Sequence, residues 1–208
     1  MTPWTVQSRP DAPSLLPARC EAAAAALREA PPEARLAALR DARPLHRELF
    51  AGLAPDDVPD AAGTWRGTPG SALALARRAV FVPRPAPGLR ARDLCAPPGE
   101  VAPRMAALAR QVEDAWRDAP GTERDGLRAL SAYLGTFFSI HPFLDGNGHV
   151  GRLLALLLAD RLGLQAEGWT VHRRPYGPTM SLCLQWHRHH PELLEDHLRR
   201  WFRRSSVT

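Results

Sequence analysis

The sequence predicts a single all-α domain that carries at most one β-hairpin. Segments with apolar residues at helical spacing, bounded by prolines, glycines or capping residues, recur along most of the 208 residues. The best strand candidate is one short apolar, partly β-branched run at residues 79–82. The length suits one domain with a sizeable core, and no internal repeat divides it, so residues 1–208 are predicted to form one domain.

Two helices are predicted in the first quarter of the chain, after a polar, proline-containing tail at residues 1–13. The alanine-rich stretch 15–30 favours a helix that the Pro-Pro pair at its end breaks. A second helix begins at this pair and reaches about residue 52, with a break or kink at Pro44. His46, just beyond Pro44, is interpreted as a surface or packing residue in preference to a ligand.

A β-hairpin is predicted in the middle of the chain. Residues 53–70 form a loop, because proline, glycine and aspartate recur there. The first strand, residues 79–82, follows and ends at Pro83, and the prolines and glycine of residues 85–88 favour a turn. With a short return strand at 94–96, the hairpin spans about residues 79–96. The alternative is an irregular loop lying on the core.

The chain from about residue 100 to residue 204 is predicted to supply the core helices. The first of them has apolar residues along one face, at Val101, Met105, Leu108 and Val112. Thr122 is the predicted N-cap of the next helix, which is apolar on most sides and therefore buried. The predicted helices cover about residues 97–119, 123–140, 150–162, 178–190 and 191–204.

Composition excludes several classes of protein. Apolar residues make up 45% and charged residues 24%, which is ordinary for a soluble globular domain, and no apolar run reaches the roughly 18 residues of a membrane span. Residues 1–17 lack a hydrophobic signal core, and three widely spaced cysteines suggest no disulfide framework. The expected location is the cytoplasm, or another cell into which the protein is delivered from the cytoplasm.

The net charge is +5, and arginine supplies all 27 positive side chains. A basic balance can attract nucleotides or nucleic acid, yet the arginines are scattered and aromatic residues are only thinly interleaved. A nucleic-acid partner is therefore not favoured. A metal site is not favoured either at four histidines that lack zinc-type spacing: His172, His187, His189 and His190.

Residues 141–152 carry most of the chemistry that the sequence predicts. They read His-Pro-Phe-Leu-Asp-Gly-Asn-Gly-His-Val-Gly-Arg and lie between two apolar segments, which predicts a helix, a tight loop and a second helix. Gly146 and Gly148 can adopt positive φ and turn the loop amides toward one point. The second helix adds its unpaired N–H groups and the positive end of its dipole. The pattern predicts an anion site, most naturally for a phosphate.

Three side chains of this motif suit phosphate chemistry. Asp145 can hold a divalent cation against a phosphate, because Mg²⁺ usually takes one or two carboxylates together with phosphate oxygens. His141 can take a proton from an incoming nucleophile near neutral pH. A glycine turn that binds no ligand is the alternative, but such a turn needs neither these two residues nor Arg152.

The motif resembles the signature of Fic-domain proteins, His-Pro-Phe-x-Asp/Glu-Gly-Asn-Gly-Arg-x-x-Arg. Every specified position matches except one, since His149 stands where the family usually has its first arginine. The segment Gly63-Thr64-Trp65-Arg66 is similar to the family's Gly-x-Tyr-Arg segment, and the predicted hairpin is similar to the flap that docks the target. The resemblance implies a Fic-like helical bundle with a small β-hairpin flap.

The resemblance also implies an activity, the transfer of AMP from ATP to a hydroxyl side chain of a target protein. His141 would act as the base, and Asp145 would bind Mg²⁺. The amides of Gly146, Asn147 and Gly148 would hold the phosphates, with Arg152 clamping the terminal ones. Arg152 as a structural ion-pair residue remains the alternative.

His149 leaves the choice of nucleotide open. A neutral imidazole offers one donor and no charge, so the phosphate clamp is weaker unless His149 is protonated. Transfer of UMP, phosphate or another phosphorylated group is therefore an alternative within the same class. A catalytically weak module that binds a nucleotide or a protein partner is the alternative outside it.

Partners and further site residues follow from the same resemblance. Val80, Phe81 and Val82 of the flap would hold the target by main-chain pairing. Tyr176 resembles an aromatic residue that flanks the nucleotide's base in some relatives, although a packing role is equally open. The family's inhibitory Ser/Thr-x-x-x-Glu-Gly/Asn helix is not found, because Gly163 lies four residues before the glutamate of Glu167-Gly168. A separate antitoxin-like inhibitor, or no control of this kind, is implied.

Overall fold

A computed structural model of the chain describes residues 9–77, 95–118, 121–174, 180, 183 and 187–204. The architecture is mostly helical, which confirms the predicted fold class. The helices are α1 (Ala12–Glu29), α2 (Pro32–Arg40), α3 (Arg43–Phe50), α4 (Pro98–Arg117), α5 (Glu123–Ile140), α6 (Asn147–Arg161) and α7 (Pro191–Leu198). A 3₁₀ turn covers Pro59–Ala61, and two strands, β1 (Leu164–Ala166) and β2 (Phe202–Arg204), pair antiparallel.

Helices α5 and α6 form the centre of the domain and lead into and out of the motif loop. Thr122 caps α5 as predicted, because its Oγ1 accepts a hydrogen bond from the Asp125 amide at 3.1 Å. Helix α4 packs on α5 and α2, and the four residues of its predicted apolar face are buried. Helix α7 packs on α5, while α1 and α2 pack on α6. The loop between α5 and α6 therefore joins two helices that other helices pack against.

The N-terminal helices begin and end close to where the sequence predicts. Helix α1 begins at Ala12 with a proline in its first turn, slightly earlier than predicted. The break near Pro44 is confirmed, because α2 ends at Arg40 and α3 begins at Arg43. Pro44 lies in the first turn of α3, where its lack of an N–H is tolerated.

The prediction of one helix over residues 191–204 is wrong in its second part. Helix α7 ends at Leu198, and Phe202–Arg204 is strand β2, with Gln165 of β1 opposite Arg203. Phe202 is buried against Trp169, with 4.8 Å between their ring centroids. This packing and the pairing with β1 outweigh the helix propensity of the arginine-rich terminus.

Two predicted elements fall largely outside the described residues. These are the hairpin, of which residues 79–94 are not described, and most of the helix predicted at 178–190. The sheet of β1 and β2 is not that hairpin. Within the described ranges, no helix combines the length and the apolar character needed to cross a membrane.

Candidate active site

The motif loop, residues 141–146, joins the C-terminus of α5 to the N-terminus of α6. His141 caps α5 with a left-handed φ of 52°, and its amide donates to the carbonyl oxygen of Phe137 at 2.9 Å. Among the residues that the structure describes, it is the one non-glycine with positive φ. That conformation costs an ordinary side chain ~1–2 kcal/mol, so it persists where surrounding contacts impose it. The predicted base is therefore held in place by its neighbours.

Arg66 supplies such contacts from a position 75 residues earlier in the chain. The side chain is buried and donates to the carbonyl oxygens of His141 (2.9 Å), Ile140 (2.9 Å), Ala96 (3.2 Å) and Ala76 (3.2 Å). Its positive charge lies at the negative end of the α5 dipole. Because Ala76 precedes the predicted flap and Ala96 is its last residue, Arg66 ties both ends of that segment to the candidate base.

Replacing Arg66 with alanine is expected to lower the free energy of unfolding by about 3 kcal/mol or more, because four carbonyl oxygens lose a charged donor. Equilibrium unfolding in urea measures the loss. Arg117→Ala is the matched control, since Arg117 is exposed and pairs with Asp114 on the surface of α4. That control is expected to cost less than about 1 kcal/mol. Equal losses in the two variants would contradict the role given to Arg66.

Asn147 closes the loop through its side chain. Its Oδ1 accepts a hydrogen bond from the Phe143 amide, and its Nδ2 donates to the Phe143 carbonyl oxygen, both at 2.9 Å. Both residues are buried, and Phe143 packs into the core. The side chain of Asn147 is thus hydrogen-bonded within the loop through both its oxygen and its nitrogen. The sequence pattern did not reveal this role.

Helix α3 supports the loop from the side of the core. His46 is fully buried, its Nε2 lies 3.0 Å from the Asp145 carbonyl oxygen, and burial lowers its pKa to about 4. Phe50, also buried, lies so close to Gly146 that a Cβ on the glycine would be 2.6 Å from Phe50 Cζ. Gly146 has φ 78°, which favours glycine as well. The glycine is therefore required by both conformation and space.

The first turn of α6 faces the same loop. Gly146 is its N-cap and, as a glycine, has no side chain with which to cap this end. The amides of His149 and Val150 donate to the Gly146 carbonyl oxygen at 3.0 and 3.2 Å, which starts the helix. The preceding amides have no partner inside a helix, and they add to the positive end of the dipole. Gly146 has the positive φ that the glycine pattern allows, whereas Gly148 lies within the first turn of α6 and is not among the positive-φ glycines. An anion site at these amides stays a prediction.

Arg152 lies beside this turn and is buried. Its Nε donates to the Val171 carbonyl oxygen at 2.7 Å, and its own carbonyl oxygen accepts from Trp169 Nε1 at 3.1 Å. A Cβ on Gly148 would lie 3.1 Å from Arg152 Nη1, so the guanidinium reaches Gly148. Arg152 therefore anchors the 169–171 segment by hydrogen bonds. It also lies next to Gly148.

His149 replaces the family's first arginine without replacing its charge. Burial, with the nearby Arg152 charge as the next cause, lowers the pKa of His149 to about 4. Its Nε2 lies 3.2 Å from the His172 carbonyl oxygen, so the N–H of the neutral ring donates there. The ring also makes an edge contact with Phe50, with centroids 5.8 Å apart. A protonated His149 in the phosphate clamp is therefore not supported.

The contribution of His149 to nucleotide affinity is expected to be independent of pH between 6 and 8. In the nucleotide-free protein the pKa of His149 is about 4, so the imidazole is neutral throughout this range before the nucleotide binds. Titration calorimetry at several pH values should give a constant ratio between the nucleotide affinities of wild type and His149→Ala. Because both proteins bind the same nucleotide, the protonation of the nucleotide itself cancels in this ratio. A ratio that grows as pH falls toward 6 would show that His149 carries charge at the site.

Some predicted site residues lie outside the described part of the chain. These are Val80, Phe81, Val82 and Tyr176, and their roles stay predictions. His141 and Asp145 are both half-buried, at the two ends of the loop. Within the described ranges, no group of three or more histidine, cysteine, aspartate or glutamate residues could hold a metal ion.

Comparison with known proteins finds a family model and a solved structure that are similar to this chain. The sequence model of the Fic/DOC family matches residues 36–159. This range contains α3, Arg66, the motif loop and nearly all of α6. A similar solved structure is the N-terminal Fic domain of a VirB-translocated Bep effector protein from Bartonella quintana. It is 17% identical, with 90% of this chain and 80% of that chain covered and a TM-score of 0.65, which shows a shared fold. No curated protein matches the sequence.

Proposed function

The chain belongs to the Fic/DOC family, and from this premise we propose that it transfers AMP from ATP to a hydroxyl side chain of a target protein. Membership supports a Fic-type transferase in general. The motif carries the finer proposal, because residues 141–148 bring together a half-buried histidine, a carboxylate and the amides at a helix N-terminus. That combination suits attack by a hydroxyl on a bound phosphate.

His141 is the proposed general base. The target hydroxyl oxygen would bond to the α-phosphorus of ATP, and the bond from that phosphorus to the pyrophosphate oxygen would break. His141 would take the hydroxyl proton. The bonds from Arg66 to the carbonyl oxygens of residues 140 and 141 hold the histidine at the end of α5, so the base is positioned before substrate binds.

Asp145 would hold Mg²⁺ as part of the bound nucleotide. A single carboxylate suits this ion, which usually completes its coordination with waters and phosphate oxygens. When bound, the ion supplies positive charge to the phosphates. The hydrogen bond between the Asp145 carbonyl oxygen and His46 fixes the backbone that carries the carboxylate.

The remaining phosphate contacts would come from the backbone and Arg152. The amides of Gly146, Asn147 and Gly148 would stabilise charge on the transferred group, and Arg152 would clamp the terminal phosphates. Because a neutral His149 stands where the family usually has its first arginine, this clamp has one positive side chain where the family usually has two. Phosphate binding should therefore depend strongly on the amides and on Mg²⁺.

The neutral His149 is also the observation that favours the second candidate, transfer of UMP, phosphate or another phosphorylated group. A weaker clamp loosens the preference for one arrangement of phosphates. A catalytically weak nucleotide- or partner-binding module is the third candidate. Docking of the target on the flap, control by a separate antitoxin-like protein, and a cytoplasmic or delivered location remain predictions.

Labelled ATP, UTP and GTP, each with Mg²⁺, distinguish these candidates when wild type and His141→Ala are incubated with a lysate. Label incorporated into protein by wild type alone is the expected result, with ATP the best donor. Incorporation from UTP or GTP instead would favour the second candidate. Binding of a nucleotide without transfer to any protein would favour the third candidate and overturn the proposal.

A further inference from the structure

The fully buried imidazole of His46 connects three parts of the chain by its two nitrogens. Its Nδ1 accepts a hydrogen bond from the Gly63 amide at 2.9 Å. Nε2 must therefore carry the proton of the neutral ring, and it donates to the Asp145 carbonyl oxygen at 3.0 Å. One side chain of α3 therefore contacts both the Gly63 segment and the motif loop. Asp145 of that loop is 99 residues away from His46 in the chain.

The ring also fixes the loop by packing. It stacks on Phe143, with 3.9 Å between the ring centroids and 13° between the planes. Phe50, four residues further along α3, lies on the same helix face and presses against Gly146. Helix α3 thus approaches the motif loop at three points: the Phe143 ring, the Asp145 carbonyl oxygen and Gly146.

A purely space-filling role does not account for this residue. Burying an imidazole is unfavourable unless its polar atoms are hydrogen-bonded, and an apolar ring would fill the same space without that cost. Both nitrogens of His46 are hydrogen-bonded to main-chain groups, and one of these groups belongs to the residue that carries the proposed Mg²⁺ ligand. The polar ring therefore sets the orientation of the peptide between Asp145 and Gly146.

We propose that His46 is a positioning residue, which holds the Asp145 carbonyl oxygen so that the Asp145 carboxylate and the amides that follow it converge on the nucleotide phosphates. This inference rests on the proposed function. It predicts an effect on nucleotide use, because within the motif loop His46 contacts Phe143 and Asp145, the residue proposed to hold Mg²⁺. A misplacement of about 1 Å in such a site can cost on the order of 100-fold in rate.

Three variants test the role. His46→Phe keeps a stacking ring but removes both hydrogen bonds, whereas His46→Gln keeps an N–H that can reach the Asp145 carbonyl oxygen. His197→Phe is the matched control, because it makes the same substitution at another buried histidine, on α7. The thermal midpoint of each variant is measured alongside its kinetics, so that loss of stability is separated from loss of positioning.

His46→Phe is expected to lower kcat/KM for the nucleotide at least tenfold and to leave KM for the target protein unchanged. His46→Gln should recover most of that loss, and His197→Phe should keep the wild-type rate. Equal kcat/KM in His46→Phe and His197→Phe at equal thermal midpoints would overturn the inference. So would a loss in His46→Phe that appears only in KM for the target.

Amide hydrogen exchange on the nucleotide-free protein gives a readout that needs no activity. The amides of Phe143 and His149, which are hydrogen-bonded inside the loop and the first turn of α6, should exchange at least tenfold faster in His46→Phe than in His197→Phe. Unchanged exchange at both amides would overturn the positioning role. If wild type transfers no group from any nucleotide, the proposed function fails, and the exchange result still decides the role of His46.

Discussion

Replacing Asp145 with alanine is expected to lower the rate of group transfer at least about 100-fold, because the variant loses the proposed ligand of the nucleotide-bound cation. The fold should survive, since Asp145 is half-buried in a loop and lies outside the apolar core. Transfer of label from ATP at saturating Mg²⁺ measures the first effect. Far-ultraviolet circular dichroism and the thermal midpoint measure the second.

Asp114→Ala is the matched control for that experiment. It removes the same charge from an exposed position on α4, where Asp114 pairs with Arg117, and it should transfer label at the wild-type rate. Wild-type transfer by Asp145→Ala would contradict the assignment of the carboxylate. A melted dichroism spectrum for Asp145→Ala would instead place Asp145 among the residues that hold the fold.

Replacing Gly146 with alanine is expected to lower the free energy of unfolding by about 2–5 kcal/mol and to abolish transfer. A left-handed backbone costs a non-glycine residue ~1–2 kcal/mol, and overpacking in a filled site adds ~1–3 kcal/mol. The overpacking arises because the new Cβ would lie 2.6 Å from Phe50 Cζ and 3.0 Å from His46 Nε2. Relief of that contact would move the loop amides away from the phosphate position.

Gly163→Ala separates the two causes. Gly163 also has positive φ, at 69°, but a Cβ there would meet nothing within 4 Å, so only the conformational cost applies. Gly146→Ala should therefore cost more, and the excess should shrink when Phe50 is first replaced by leucine. Equal losses at the two glycines, measured by urea unfolding, would contradict the close packing of α3 on the loop.

The fold class and the main helices could be predicted from the sequence because their signals are local. Thr122 as an N-cap and the apolar face of α4 depend on residues a few positions apart, and both are confirmed. The end of α7 could not be predicted in this way. Strand β2 forms because Phe202 packs on Trp169 and pairs with β1, and these contacts join segments more than 30 residues apart.

The residues of the candidate site also differ in whether a local sequence signal identifies them. His141, Asp145, Gly146 and Gly148 were identifiable because they lie in one contiguous motif. Arg66 and His46 reach that motif from 75 and 99 residues away, and a lone histidine after Pro44 carries no local signal of such a role. His149 shows the same limit, since its identity was readable but its neutrality depends on burial and on Arg152.

The position of the transferred phosphate tests the central claim most directly. Wild-type protein is incubated with a lysate, Mg²⁺ and ATP labelled either at the α-phosphate or at the γ-phosphate, with His141→Ala as the background. Transfer of AMP predicts protein-bound label from α-labelled ATP and none above background from γ-labelled ATP. Label from the γ-phosphate alone, or no label from either position, would contradict the proposed adenylyl transfer.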